Sequence, residues 1–259
     1  MKVNLENTIQ SLSNYLRQYV HQIPACYDWP FDESKASVTA GINFDDNSNW
    51  LEKSKALKMA LKDKIFMATT IEEKQAVANY YVKSWGRVNI GDEKLNGLVQ
   101  VLSDKEDQLE ENLEALGMDN VSSWSKYLSL VFDWAPIYDS RVAYSINAIN
   151  YLGGNTDLFF RIPEGRSSRL ALLDIKTLFV QQKLKDGSIN LNDFEHRQFP
   201  SRLQKSYWTN NRNTYSLYVK LIHAVAKELE VNIDDIEMLL FSLAPNQILK
   251  DLLDLHTTK

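Results

Sequence analysis

The sequence has little of what several common site types require. A single cysteine, Cys26, excludes an internal disulfide bond and a zinc site built from several thiolates, so we interpret it as a small buried apolar side chain. The four histidines are scattered, and no two have the i, i+4 spacing that puts two imidazoles on one helix face. We therefore expect no metal site.

Glycine is also scarce, with nine in 259 residues. No Gly-x-Gly-x-x-Gly, Walker A or Gly-x-Ser-x-Gly signature occurs, and these are the patterns that build phosphate-binding turns and the nucleophile turn of many hydrolases. Nucleotide-binding and serine-hydrolase functions lose most of their support, and we expect no cofactor.

Long apolar runs are missing as well. No run approaches the ~20 residues needed to span a bilayer, and the first residues lack the basic-then-apolar order of a signal peptide. We expect a cytoplasmic protein that does not enter a membrane, and we expect a monomer.

The formal net charge of −5 argues mildly against a nucleic-acid partner, but the charge is unevenly distributed. Residues 91–120 contain nine acids and two bases, whereas residues 141–227 contain thirteen bases and six acids, a local net charge of +7. Distribution matters more than the total for binding a polyanion.

Apolar residues recur at intervals of three and four, as in Leu5, Ile9, Leu12 and Leu16, and alternation of period two is almost absent. We predict a single all-helical domain over residues 1–259. The predicted helices lie near 4–21, 50–66, 71–84, 92–100, 103–116, 122–133, 139–152, 168–185, 211–230, 233–243 and 246–256. Residues 23–49 and 153–168 are predicted to be irregular.

Residues 103–152 are predicted to form a helix, a tight turn, a helix, a short loop and a third helix. Gly117 lies where a helix C-cap needs a positive φ, and Ser122 or Ser123 could cap the second helix, which carries Lys126. Asp139 lies where the third helix needs an N-cap, so a purely structural role accounts for it without any chemistry.

The run Pro136-Ile137-Tyr138-Asp139-Ser140-Arg141-Val142 resembles the Pro-x-x-Asp-x-x-Val pattern of the helix-hairpin-helix DNA glycosylase superfamily. Lys126 on the preceding helix resembles the lysine of the archaeal 8-oxoguanine glycosylase branch and its bacterial relatives. Only Gly117 matches the Gly-hydrophobic-Gly hairpin of the family, and the spacing from Lys126 to Asp139 is shorter than usual. In an alternative register, Ser122 or Ser123 takes the lysine position, and both registers keep Asp139.

The resemblance implies a helical glycosylase fold that flips a base out of double-stranded DNA and cleaves its N-glycosidic bond. Asp139 would stabilise the oxocarbenium-like transition state or activate water, and Lys126 would form a Schiff base with the sugar. The base would be damaged or modified, and a base that marks phage DNA would imply a role in anti-phage defence.

Aromatic and basic residues supply the remaining candidates. The resemblance implies base stacking, for which the candidates are Trp85, Trp124, Tyr138 and Trp208, and core packing is the alternative for each. Contacts to DNA are assigned to Ser122, Ser123, Arg141, Arg202, Lys205 and Arg212, with Arg166 and Arg169 as further phosphate contacts. Residues 201–213 combine basic, amide and aromatic side chains, which suits contact with DNA. An ordinary polar loop is the alternative for this segment.

Two other functions stay open. The reduced glycine pattern and the acidic residues 91–120 are compatible with a non-catalytic helical module that binds DNA or a protein. A helical nuclease is a third hypothesis, but the sequence has no clear multi-acid metal motif.

Overall fold

The computed structural model describes residues 4–164 and 169–257, and the predicted all-α class is confirmed within them. No β-strand forms there, and the only bridge joins Phe159 to Trp208. The α-helices are α1 (Glu6–Leu16), α2 (Ile23–Cys26), α3 (Glu33–Ala40), α4 (Trp50–Met67), α5 (Ile71–Asn79), α6 (Asp92–Ser103), α7 (Val121–Val131), α8 (Ser140–Leu152), α9 (Ile175–Lys185), α10 (Phe199–Tyr207), α11 (Thr214–Leu229), α12 (Ile233–Leu243) and α13 (Leu249–Thr257). Among the described helices, none is long and apolar enough to cross a membrane.

Helix α8 is the centre of the fold, and it packs against α1, α9, α12 and α13. Every residue from 142 to 151 is buried, which fits a helix that is mainly apolar on all sides. The buried amide of Asn147 donates to the carbonyl of Phe160 at 2.8 Å and accepts from its N–H at 2.7 Å. This pair of hydrogen bonds fixes the irregular segment after α8 against the core. The main core is one connected cluster of buried side chains, with members from Leu12 to Leu252.

Helix α7 begins one residue earlier than predicted, at Val121. Its N-cap is Asn120, which has a left-handed backbone with φ +55° and makes no side-chain cap. Ser122 and Ser123 therefore lie inside the first turn, which corrects their predicted capping role. Lys126 follows in the second turn.

The predicted helix over 103–116 is wrong. Helix α6 continues to Ser103, and the following residues form two short 3₁₀ turns, Glu106–Gln108 and Leu113–Ala115. Six acids and one base occur between residues 104 and 114, so like charges three or four residues apart would oppose an α-helix. Gly117 does adopt the predicted positive φ, at +64°.

Three helices, α2, α3 and α10, lie in segments for which no helix was predicted. Helix α3 is capped by the Asp32 carboxylate, which accepts from the Lys35 N–H, and it ends at Gly41 with φ +72°. Helix α10 occupies much of the predicted polar loop at 201–213, and its Phe199 and Leu203 bury a small separate cluster with Ile189. Local caps and apolar anchors outweighed the proline and polar content used to predict loops.

Helix α5 continues directly into a π-helical turn, Tyr80–Trp85. Its capping box at Thr70 and Glu73 is present, and its end differs from a regular helix because the Gly86 N–H donates to the Tyr81 carbonyl. The π-turn widens the helix and directs Trp85 and Gly86 towards α7. Arg87 then adopts a left-handed backbone with φ +52°, which is uncommon for a residue with a side chain.

Candidate active site

Asp139 uses its two carboxylate oxygens differently. The Oδ1 atom accepts from the N–H groups of Arg141 at 2.9 Å and Val142 at 3.0 Å, so the predicted N-cap is confirmed. The Oδ2 atom lies 3.8 Å from the Nζ atom of Lys126, and only 15% of the Asp139 side chain is exposed. The structural and the chemical interpretations of Asp139 are therefore compatible, because each uses a different oxygen.

Lys126 is buried, with 5% of its side chain exposed. Its ammonium donates to the Ser122 carbonyl at 3.3 Å, within its own helix. Its methylene chain passes directly beside Gly86, where an added Cβ would lie 2.7 Å from both Cδ and Cε of the lysine. The absence of a side chain at Gly86 thus makes the room in which Lys126 lies.

Lys126 and Asp139 both line one small cavity. Its other lining residues come from the α2–α3 connection, the π-turn, the α7–α8 loop and α12: Tyr27, Trp29, Trp85, Gly86, Ile137, Glu237, Met238 and Phe241. The cavity is narrow, with room for little more than water between these side chains. Four distant parts of the chain are needed to form it.

Aromatic rings form two of the cavity walls. Trp85 is stacked on Tyr81 with ring centres 4.4 Å apart, and its buried Nε1 has no hydrogen-bond partner among the described residues. Trp29 meets Phe241 edge to face at 5.0 Å, and its Nε1 donates to the Trp85 carbonyl at 2.9 Å. A flat aromatic ligand has faces to stack on and one unused buried donor in this cavity.

Glu237 is the ionisable cavity residue that the sequence analysis did not select as a functional residue. Burial raises the pKa of its carboxyl to about 8, and the positive charge of Lys58 and the N–H of Ile137, which donates to Oε2 at 2.9 Å, only partly oppose this. The carboxyl is therefore mainly protonated at neutral pH, so it can donate as well as accept a hydrogen bond. The pattern that could have found Glu237 is an acid within the apolar run 236–241.

Of the aromatic residues predicted to stack on a base, only Trp85 lines this cavity. Trp124 is buried against Tyr215, with ring centres 4.6 Å apart, and its Nε1 donates to the Asp119 carbonyl. Tyr138 is fully buried, and its hydroxyl donates to the Arg161 carbonyl at 2.7 Å. Trp208 stacks on Phe159 beside α9 and α10, so these three act in packing.

The residues predicted to contact DNA lie in three places. Ser122 and the buried Ser123 line a separate groove with Arg161 and Asn211. Arg202 and Lys205 are exposed on α10, and Arg212 is exposed in the turn before α11. Only Arg141 lies near the cavity, over the rings of Trp29 and Phe241.

Two further phosphate contacts were predicted at Arg166 and Arg169. Arg169 is exposed and donates to Oδ1 of Asn246 at 2.7 Å. Arg166 lies outside the described residues.

No group of three or more His, Cys, Asp or Glu residues that could hold a metal ion occurs within 4–164 and 169–257. The candidate site thus consists of an amine, one carboxylate, one mainly protonated carboxyl and aromatic walls. No protein-family model, curated protein or solved structure matches the chain.

Proposed function

We propose that the protein is a DNA glycosylase of the helix-hairpin-helix type that releases a damaged or modified base. The observation that carries the proposal is the approach of Asp139 Oδ2 to Lys126 Nζ, 3.8 Å apart, at the edge of an aromatic cavity. Cleavage of an N-glycosidic bond needs a carboxylate near the anomeric carbon and a flat apolar space for the base. The cavity has the carboxylate and aromatic walls, and the space for a base requires movement of those walls.

Lys126 is the proposed nucleophile. In its neutral form the amine attacks C1′ of the sugar, the bond from C1′ to the base nitrogen breaks, and the bonding electron pair leaves with the base. The proton lost by the amine balances the charge on the departing base. Opening of the sugar ring then gives a Schiff base, which permits strand cleavage by a lyase step or hydrolysis to an abasic site.

Asp139 has the same role whether Lys126 or a water molecule attacks. Its Oδ1 is occupied by the helix N-terminus, which fixes the carboxylate, while Oδ2 is available to stabilise positive charge at C1′. Of the two registers left open by the sequence, the one with Lys126 is favoured, because Ser123 lines a different groove and Ser122 contributes its carbonyl to Lys126.

The base is proposed to lie against Trp85, with the protonated carboxyl of Glu237 and the Trp85 Nε1 as hydrogen-bond donors. Because the cavity is narrow, Trp29 and Phe241 must move aside when a base enters. Both side chains are partly exposed, which allows this movement.

The deciding experiment is mass spectrometry of bases released from oxidised DNA and from hypermodified phage DNA. We expect one class of base to be released by the wild-type protein and by Asp157→Asn, since Asp157 is an 80% exposed aspartate away from the cavity. Asp139→Asn should reduce release by about 10²–10⁴-fold. Absence of any released base or abasic site would refute the proposal.

A non-catalytic helical module is the second candidate. It is favoured by the acidic segment at 104–114, which forms 3₁₀ turns where the glycosylase hairpin has an α-helix. A module predicts that Asp139→Asn leaves both DNA binding and the cellular phenotype unchanged, whereas a glycosylase predicts that the phenotype is lost while binding is retained.

A further inference from the structure

Two arginines lie over aromatic rings that line the cavity. The guanidinium of Arg87 lies 4.0 Å from the ring centre of Trp29, and that of Arg141 lies 5.3 Å from Trp29 and 4.5 Å from Phe241. A third, Arg169, donates to Asn246 and is near enough for its charge to act on Arg141. Burial lowers the pKa of Arg141, and repulsion from the charges of Arg87 and Arg169 lowers it further, although the Asp139 carboxylate opposes both effects.

The positive charge of this group is not balanced within the described residues. Arg141 has no side-chain hydrogen bond or ion pair there, while Arg87 and Arg169 each donate to a neutral acceptor, the Pro30 carbonyl and the Asn246 side chain. Asp139 is the nearby acid, but its Oδ1 is used by the helix N-terminus and its Oδ2 faces Lys126. Arg87 and Arg169 repel Arg141, and Asp139 is the acid that acts on Arg141, so an added anion would be stabilised here.

The positions of the guanidinium groups suit a phosphate. A guanidinium stacked on an aromatic face keeps its N–H groups directed outwards in its own plane, and those groups match two phosphate oxygens at once. Arg87 is held there by a backbone with φ +52°, a conformation that a non-glycine residue adopts rarely and that often accompanies function.

We propose that Arg87 and Arg141 bind the phosphodiester group adjacent to the nucleotide whose base enters the cavity. This inference rests on the proposed function, because it needs a nucleotide at this cavity. Both arginines lie over the aromatic pair Trp29 and Phe241, so displacement of that pair by a base would free the guanidinium groups for the phosphate.

The test measures binding and does not require base release. The probe is a short DNA duplex with a stable tetrahydrofuran abasic analogue, with its flanking linkages either native or replaced one at a time by neutral methylphosphonate. We expect one replacement to weaken wild-type binding about tenfold, as expected for a charge-assisted bidentate contact. Arg141→Gln should bind about tenfold more weakly and should no longer respond to that replacement.

Arg17→Gln is the matched control, because it removes the same charge from a residue that is 61% exposed at the C-terminal end of α1. It should keep the wild-type response to methylphosphonate. Arg87→Gln repeats the test at an exposed position in case Arg141→Gln does not fold.

Several results would overturn the inference. One is a wild-type protein that does not distinguish native from neutral linkages. Another is an Arg141→Gln or Arg87→Gln protein that still does. A third is an arginine effect seen only with DNA whose base carries an anionic group, since the anion would then belong to the base. Failure of the proposed function is separate, because it would appear as no base release while the linkage response persists.

Discussion

Two regions of the molecule each bury a lysine beside an aspartate. Lys126 on α7 is 4% exposed and faces Asp139, and Lys183 on α9 is 3% exposed and faces Asp157 at 3.4 Å. By burial alone the two lysines are equivalent. Their surroundings are not.

The difference lies in what surrounds each ammonium. Lys183 lies 4.6 Å from the ring centre of Tyr207, and Asp157, its nearer acid, is 80% exposed, so its charge is shared with solvent. Lys126 lines an aromatic cavity, which the buried Glu237 also lines. Burial of a lysine therefore does not by itself indicate chemistry, whereas burial together with a cavity and a mainly protonated carboxyl does.

The sharpest separation of the two lysines is borohydride trapping of a covalent complex with substrate DNA. Lys126→Ala should abolish the trapped complex, because the Schiff base needs that amine. Lys183→Ala is the matched control, since it removes an equally buried lysine, and it should keep the complex. Trapping that survives Lys126→Ala, in folded protein, would contradict the assignment.

The second prediction concerns Gly86, whose missing side chain leaves the space in which Lys126 lies. In Gly86→Ala the new methyl group would lie 2.7 Å from two carbons of Lys126 and 2.8 Å from the Val82 carbonyl oxygen. We expect Lys126 to be displaced, with base release reduced about 100-fold, because small misplacements of a reacting group are costly.

Gly97→Ala is the control for this change. Gly97 lies inside α6 with open space around it, so alanine there should slightly stabilise the protein and leave activity unaltered. Measured single-turnover rates that fall equally in both variants would show that the effect at Gly86 is not specific to Lys126.

Local rules in the sequence predicted the helical frame and the capping of Asp139. The bounds of α4, α7, α8 and α12 follow from apolar spacing and from side chains that cap helix ends, which are properties of neighbouring residues. The segment after Ser103 could not be predicted by spacing alone, because its repeated like charges oppose an α-helix despite the apolar pattern.

The cavity is harder to predict than the helices because its walls come from four separate parts of the chain. Tryptophan content suggested base stacking, yet Trp124 lies within the core and Trp29, which was not selected, lines the cavity. Glu237 is one of three acids in α12, and its raised pKa depends on burial that no local pattern reports.

The two regions should also differ in how pH affects stability. The folded pKa of Glu237 is about 8, above its ordinary value of 4.5, so between these values the folded state holds a proton that the unfolded state has lost. The free energy of unfolding should therefore fall as pH rises through this window, by at most about 1.4 kcal/mol per pH unit.

Urea unfolding at pH 5.5, 6.5 and 7.5 measures this contribution. In Glu237→Gln the free energy of unfolding should no longer show this fall with rising pH, because glutamine does not titrate. Asp157→Asn should keep it, since an exposed carboxylate beside Lys183 has no comparable burial. An unchanged slope in Glu237→Gln would mean that the carboxyl is already ionised in the folded protein.

The smallest expected effect distinguishes the roles of the two carboxylate oxygens of Asp139. Asparagine can still accept the N–H bonds of Arg141 and Val142 through its side-chain oxygen, whereas alanine cannot, and both changes remove the charge that faces the buried Lys126. Asp139→Ala should therefore be about 1 kcal/mol less stable than Asp139→Asn. Both variants should lose base release to a similar extent, because neither retains the negative charge near C1′. If activity instead followed stability, with Asp139→Asn nearly as active as wild type, Asp139 would be a helix cap only, and the contrast between the surroundings of Lys126 and Lys183 would concern packing alone.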